Sequence, residues 1–341
     1  MKKQYESIQV LRALAALGVV AFHTAGNVEA YGWITHLFPK ISRYGAIGVD
    51  VFFIISGFVI ALVTYGKPAG IQSARAFIKA RVIRIVPLYW LLTILFACLL
   101  LLMPMAFAHA RFDFFHLLTS LLFFPSLNWE GVVAPVLNVG WTLNYEAWFY
   151  VVFGIAVCVT NRPLISVAIF LSLTSLLRLI GDPSILFQFY TNPIVLEFVM
   201  GCFIGNCYAR GKQVTANAAL IVLCVTMVSR LLYAPIMTDD NRFIVFGLPA
   251  FAIVVVMLAL ENKVKWGKWM GELGAASYSL YLTHVFSIPI LLKLIRKLDD
   301  QHRLSGDIIC LLVVLGCVFI GFLCYRLLEL PMTKQVKRRL M

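Results

Sequence analysis

Arg12 and His23 stand eleven residues apart in a run, Ile8 to Gly26, that is otherwise almost wholly apolar. On a helix that separation is roughly 16 Å of rise and brings both side chains to one face. Ionisable groups inside such a run are expensive to hold and are functional candidates for that reason. A histidine at this position could take a proton from a hydroxyl, with a carboxylate fixing its tautomer. A buried, hydrogen-bonded histidine at a helix end carries the same signature. Two carboxylates are available: Asp50 opens one apolar run within Gly48-Val49-Asp50, and Glu146 opens another within Trp141-Thr142-Leu143-Asn144-Tyr145-Glu146. Each also suits the first turn of a helix on dipole grounds alone.

A second cluster is basic. Arg81 and Arg84 are spaced i, i+3 and share a helix face, and paired guanidinium groups suit phosphate recognition. Cations at the cytoplasmic end of a helix also anchor lipid headgroups, and Pro87, three residues on, can kink the helix and open a cavity. His284, within Ser277-Tyr278-Ser279-Leu280-Tyr281-Leu282-Thr283-His284, either lines a path between the two clusters or is hydrogen-bonded inside a bundle. Arg178, Glu197 and Arg230 read as structural ion pairs. His36, His109, His116 and His302 have no readable role.

The elements that carry these residues follow from composition. The chain is 61% hydrophobic and 13% charged, with mean hydropathy +0.89, whereas a soluble domain is about 25% charged. No polar stretch is long enough to hold a separate soluble domain, so residues 1–341 read as a single membrane domain. The net charge of +13 does not form one solvated patch. Its cations alternate with apolar runs, as topology signals do, which argues against a nucleic-acid partner. The eight cysteines lie in or beside apolar runs without CxxC spacing or nearby histidines. Neither a disulfide framework nor a metal site is expected. The N-terminal run resembles a signal peptide, but Arg12 interrupts it and no small-residue cleavage site follows, so it reads as a retained helix.

Crossing the hydrocarbon core takes about 20 apolar residues. That length predicts an all-α integral membrane bundle of about ten transmembrane helices, near 8–26, 46–65, 82–103, 142–160, 163–180, 192–209, 215–234, 243–260, 273–295 and 306–329. A shorter apolar stretch near 112–127, closed by Pro125, reads as a re-entrant or interfacial helix. Lys and Arg divide between the two faces by about two to one in favour of the side that holds both termini, which predicts cytoplasmic ends. In that frame Arg12 lies in the cytoplasmic third, and His23, Asp50 and Glu146 share an outer layer. Arg81 and Arg84 stand at the cytoplasmic mouth, and His284 is about mid-membrane.

Taken in order, these segments resemble the integral-membrane acyltransferase-3 family. Arg12 through His23 is similar to its opening Arg-x10-His signature, and Gly48 through Phe58 to its second-helix motif. Arg81-Val82-Ile83-Arg84-Ile85-Val86-Pro87 resembles its Arg-x-x-Arg-Ile-x-Pro element, and Trp141 through Tyr150 its Trp-Thr-Leu-x-x-Glu block. Ser277 through His284 and Glu329-Leu330-Pro331 also fit. The resemblance spans nearly the whole chain. Only a short basic tail follows the tenth span, so the likeness is to members without a fused SGNH-type hydrolase domain.

The resemblance implies a transfer of acyl groups, usually acetyl, from cytoplasmic acyl-CoA to surface carbohydrate. It implies His23, Asp50 and Glu146 as catalytic residues, and Arg81, Arg84 and Arg12 as donor-binding residues, with no metal. Trp141, Ser56 and Asn144 are unranked candidates for donating a hydrogen bond to the developing oxyanion, and His284 joins them along the substrate path. CoA phosphates cannot enter hydrocarbon, but a slim pantetheine arm has a reach comparable with the roughly 16 Å from Arg12 to His23. The expected partners are the bilayer of a bacterial inner membrane and a carbohydrate acceptor; oligomeric state is not readable. The rival is a secondary transporter or a flippase of a lipid-linked substrate. A transporter would tend to carry internal repeats and broken helices in matching halves, and the sequence has neither.

Overall fold

The computed structural model describes residues 5–106, 110–233, 241–299, 301 and 303–340. Lys2, Lys3, His109, His302 and the side chain of Arg230 lie outside the described residues. In chain order the helices are α1 (Glu6–Ala30), α2 (Phe38–Ser42), α3 (Ile47–Thr64), α4 (Ile71–Leu102), α5 (Phe114–Leu121), α6 (Trp141–Val159), α7 (Pro163–Leu177) and α8 (Ile185–Tyr190). There follow α9 (Leu196–Ala209), α10 (Ala216–Tyr233), α11 (Leu248–Ala259), α12 (Lys268–Ala275), α13 (Ser277–Leu298), α14 (Gly306–Cys324) and α15 (Leu330–Leu340). The described residues contain no strand, only a single bridge between Leu127 and Val133. This is the all-α membrane bundle expected: in hydrocarbon a helix satisfies its own backbone polar groups.

Eight of the described helices are long and apolar enough to cross a membrane, and Ala216–Ser229 and Phe243–Ala259 are shorter apolar helices. These occupy the ten expected places. The difference that bears on the site is at α4, which begins eleven residues before the expected span. Its 32 residues are about 48 Å long, against a hydrocarbon core of about 30 Å. The turns rich in Gln72, Ser73, Arg75 and Lys79 are helical without being apolar, so hydropathy alone could not find the true start. The stretch near 112–127 contributes one short helix, α5. Asp113 caps it by accepting a hydrogen bond from the His116 backbone N–H at 2.6 Å.

The chain forms two compact units, Met1–Ile55 with Lys212–Leu330, and Ser56–Gly211 with Pro331–Met341. In the first, α1 packs against α11, α12, α13 and α14. Its N-terminus is held by Glu261, whose carboxylate accepts from the backbone N–H groups of Glu6 and Ser7 at 3.0 and 2.8 Å. Those donors have no partner within the helix, and the negative charge suits the dipole. Gly274 lets α12 approach α1 so closely that a Cβ there would lie 2.0 Å from the Gln9 carbonyl oxygen. Small residues permit this kind of contact between membrane helices. The core of the unit includes Ala16, Val20, Trp33, Leu280, Ile288, Ile309, Cys310, Val313 and Cys317, with the two cysteines acting as small apolar packing groups.

In the second unit, α4 packs on α6 and α5, and α7 packs on α6 and α9. Gly57 meets the Phe198 carbonyl on α9, where a Cβ would stand 2.1 Å from the oxygen. The C-terminal end of α5 is tied to α4. Tyr89 Oη donates to the Ser120 carbonyl at 3.1 Å, and Trp90 Nε1 to the Leu121 carbonyl at 2.8 Å. His116 is structural: its Nε2 lies 2.9 Å from the Ala134 carbonyl.

Candidate functional site

In the first unit, α1 and α13 run side by side in the same direction and bring candidate residues together at two levels. At the lower level, Arg12 Nη2 donates to Ser277 Oγ at 3.0 Å. At the upper level, the rings of His23 and His284 stack with centroids 5.1 Å apart and planes 30° apart. His284 is buried, and its Nδ1 lies 2.6 Å from the Tyr281 carbonyl oxygen. A carbonyl only accepts, so Nδ1 carries the proton and Nε2 holds the lone pair of the neutral ring. That Nε2 is buried without a hydrogen-bond partner among the described residues. The half-buried His23 ring also contacts Phe22 edge-on at 5.4 Å.

The sequence put His284 at mid-membrane and His23 at the outer end, whereas the structure makes them neighbours. The reason is where α13 begins. The preceding helix α12 lies against the start of α1, and α13 begins at Ser277, which the long Arg12 side chain reaches from below, so seven further residues bring His284 to His23. Asp50 is fully buried, and its Oδ2 accepts from Arg242 Nη2 at 2.8 Å. Arg242 also lies over the Phe246 ring, 5.1 Å from its centroid. A carboxylate from the second span was expected to orient His23. Asp50 is held by Arg242, and the group stacked on His23 is an imidazole. No local pattern in the sequence marks Arg242 as the partner of a residue 192 positions away.

In the second unit, Glu146 is the centre of a hydroxyl cluster. Its Oε1 accepts from Ser56 Oγ at 2.7 Å and from Tyr150 Oη in a short hydrogen bond. The Ser56 and Tyr150 hydroxyls are themselves 3.2 Å apart. Tyr150 closes the Trp141–Tyr150 motif and is a functional residue beyond those the sequence assigns a role. Its i+4 relation to Glu146, which puts both on one face of α6, was the available signal. The Arg81 guanidinium lies 5.8 Å from the ring centroids of both Phe77 and Tyr150, within cation–π range. Its Nε is buried without a hydrogen-bond partner. Arg84 is exposed. Neither arginine is paired with a carboxylate among the described residues.

The arginines were expected at the cytoplasmic mouth and Glu146 near the opposite surface. Within this unit they are level. The Gly70 backbone N–H donates to the Val157 carbonyl at 3.0 Å, and this contact aligns the start of α4 with the end of α6. Arg81 is eleven residues along α4 from it and Glu146 eleven residues back along α6, so each is about 16 Å away. The early start of α4 produces the difference. Trp141 contacts Tyr145 edge-on at 6.0 Å, and Tyr145 stacks on Phe189 at 4.1 Å. Asn144 is buried and its Oδ1 has no hydrogen-bond partner among the described residues.

Chemically, the first unit offers an imidazole pair beside a chain of apolar helices, and the second offers a hydroxyl-bound carboxylate next to unneutralised guanidinium groups. The described residues contain no cluster of three His, Cys, Asp or Glu side chains that could hold a metal ion.

A family model described as "Acyltransferase domain" matches residues 5–326. The exopolysaccharide production protein ExoZ of Rhizobium meliloti (strain 1021) is 32% identical over 303 residues, covering 86% of this chain and 92% of ExoZ. The O-acetyltransferase OatA of Staphylococcus aureus (strain NCTC 8325 / PS 47) is 23% identical over 370 aligned positions, covering 95% of this chain and 56% of OatA. The chain thus spans nearly all of one relative and about half the length of the other. No solved structure matches.

Proposed function

The chain belongs to this acyltransferase family and is a multi-pass membrane acyltransferase, and from that premise we propose that it moves an acyl group, acetyl by default, from cytoplasmic acyl-CoA to a hydroxyl of an extracytoplasmic or lipid-linked carbohydrate. The termini face the cytoplasm of a bacterial inner membrane, and the whole chain works as one catalytic domain. His23 is the general base. A ring nitrogen takes the acceptor hydroxyl proton as the oxygen attacks the thioester carbonyl. The tetrahedral intermediate collapses with loss of CoA thiolate, which recovers the proton from the imidazolium. Arg81 and Arg84 bind donor phosphates, with Arg12 as a further cation on the donor side. Asp50 and Glu146 hold the surrounding charge and hydroxyl groups in place. Trp141, Ser56 and Asn144 are the oxyanion donors to be tested.

The observation that carries this reading is the His23–His284 stack. A histidine that served only packing would be expected to spend its nitrogens on hydrogen bonds, as His116 does on Ala134. His23 has no side-chain hydrogen bond to a described residue, and its ring lies against a second imidazole 5.1 Å away. The two guanidinium groups without carboxylate partners support the donor assignment in the same way.

The test is transfer from radiolabelled acetyl-CoA to isolated surface glycan by the purified protein. His23→Ala is expected to lower kcat by roughly 10²–10⁴-fold with donor binding nearly intact. Activity of the wild type should fall on acidification, because a protonated imidazole has no lone pair to accept with. Near-normal turnover of His23→Ala, in protein that melts like the wild type, would remove His23 from the mechanism.

A further inference from the structure

Beyond the imidazole pair, the same two helices end in a basic cavity of about 580 Å³, lined by Ala30 and Tyr31 at the end of α1 and by Lys293, Arg296 and Lys297 on α13. Three cations share this one cavity, and none of them is paired with a carboxylate among the described residues. Two described acids adjoin the lining in sequence, and both have other partners. Glu29, next to Ala30, accepts from Thr35 Oγ1 in a short hydrogen bond, and the Asp299 carboxylate accepts from Trp33 Nε1 at 3.1 Å and from the backbone N–H groups of Arg303 and Leu304 at 2.8 and 3.1 Å.

Two ordinary explanations fall short. Cations in the last turn of a helix complement its dipole, which covers Arg296 and Lys297 but not Lys293 one turn earlier. Cations at a membrane face commonly mark the cytoplasmic side, yet this cluster stands at the end of α1 and α13 away from Arg12. In the proposed orientation that is the extracytoplasmic side, where basic residues are otherwise sparse. A concentration of positive charge against the topology rule calls for something anionic to neutralise it.

We propose that this cavity binds an anionic group, a carboxylate or a phosphate, carried by the carbohydrate acceptor itself, so that the enzyme selects acidic glycans. The inference rests on the acyltransferase reading of the His23 level. The spacing adds a constraint. Tyr31 is eight residues beyond His23, roughly 12 Å of rise along α1, which is further than one sugar ring spans. The acidic group and the reacting hydroxyl therefore belong to different residues of the glycan. Long-range attraction by three cations also raises the encounter rate with a polyanionic acceptor and is weakened by salt.

The experiment uses full-length protein in nanodiscs of zwitterionic lipid only. Its probe is partially depolymerised surface polysaccharide from a strain lacking the gene, offered intact, carboxyl-reduced or dephosphorylated. Transfer and direct binding of the fluorescently tagged fragments are both measured. For the wild type, removing the acidic group should raise the acceptor KM by about tenfold at low salt, as three exposed charge contacts warrant. Whichever treatment does so identifies carboxylate or phosphate. K293A/R296A/K297A should show the raised KM with intact acceptor and no further loss with the neutralised one, and K293R/R296K/K297R should restore the discrimination. Equal handling of intact and neutralised glycan by the wild type overturns the proposal. So does a discrimination that survives the triple alanine change, or a loss that appears only when anionic lipid is added and follows the lipid. If the wild type transfers nothing while binding stays charge-dependent, the acyltransferase mechanism fails and the anionic-glycan site stands.

Discussion

Replacement of the two arginines on α4 should have unequal effects, and the structure fixes the order. Arg81 is half-buried, lies over Phe77 and Tyr150, and has an enclosed Nε without a partner. A hydrogen bond from such a group to a donor phosphate is worth about 1.5–3 kcal/mol, so Arg81→Ala should weaken acyl-CoA binding by roughly 10- to 150-fold. Arg84 is exposed, where an ion pair contributes about 0.2–1 kcal/mol. Arg84→Ala should therefore cost only about 1.4- to 5-fold. Arg81→Lys should recover part of the loss, since a point charge replaces the planar fork. Calorimetric titration of the nanodisc-embedded protein with acetyl-CoA and with 3′-dephospho-CoA would measure this at two salt concentrations. If a phosphate is the contacted group, the variant most affected should lose its preference between the two ligands. Unchanged donor affinity in folded double-alanine protein, or a larger effect at Arg84 than at Arg81, would refute the reasoning and return both residues to headgroup anchoring.

Three further outcomes follow from particular contacts. Arg242→Ala takes the guanidinium away from the fully buried Asp50 carboxylate, and breaking a buried pair of this kind costs about 3–5 kcal/mol; a chemical-denaturation midpoint equal to the wild type would contradict it. Gly274→Val forces α12 off the Gln9 carbonyl, where even a Cβ would stand at 2.0 Å, so the unfolding free energy should fall by more than the roughly 1–3 kcal/mol typical of overpacking, and a denaturation midpoint equal to the wild type would contradict it. In a cysteine-free background, Glu130→Cys should react with a membrane-impermeant maleimide from outside intact cells and Lys337→Cys should not; the reverse pattern would invert the proposed orientation.

Much of the architecture was legible because each feature depends on local physics. Runs of about 20 apolar residues can only be helices in a bilayer, and their ten places emerged close to where α1 through α14 lie. Arg12 and His23 were legible as a unit because one helix carries both, and the 3.6-residue repeat fixes their spacing whatever surrounds it. Ser56, Glu146 and Tyr150 were half-legible. The i+4 relation on α6 is visible in the sequence, but the approach of Ser56 depends on Gly57 seating α3 against α9 at the Phe198 carbonyl, and no local pattern announces that.

What could not be read was the relative register of helices distant in sequence, and every displaced site residue traces to it. Depth estimates assumed that each helix begins where its apolar run begins. Helix α4 breaks that assumption by starting among polar residues, which carries Arg81 up to the level of Glu146. Helix α13 breaks it by following α12, whose seat on α1 is set by the missing side chain of Gly274, and this brings His284 to His23. Asp50 found Arg242 across nearly two hundred residues for a related reason. A carboxylate enclosed in the bundle needs a neutralising partner, and the requirement identifies the type of partner without identifying its position. Helices inserted in hydrocarbon gain little from any particular vertical offset, because lipid is as apolar as their own side chains. The offset is then decided by a few close backbone approaches and a few polar pairs. Those same few contacts align the candidate active groups of this acyltransferase, so a small change at Gly274 should be felt at the His284 imidazole about three turns on, and one at Gly57 at the carboxylate that its neighbour Ser56 contacts.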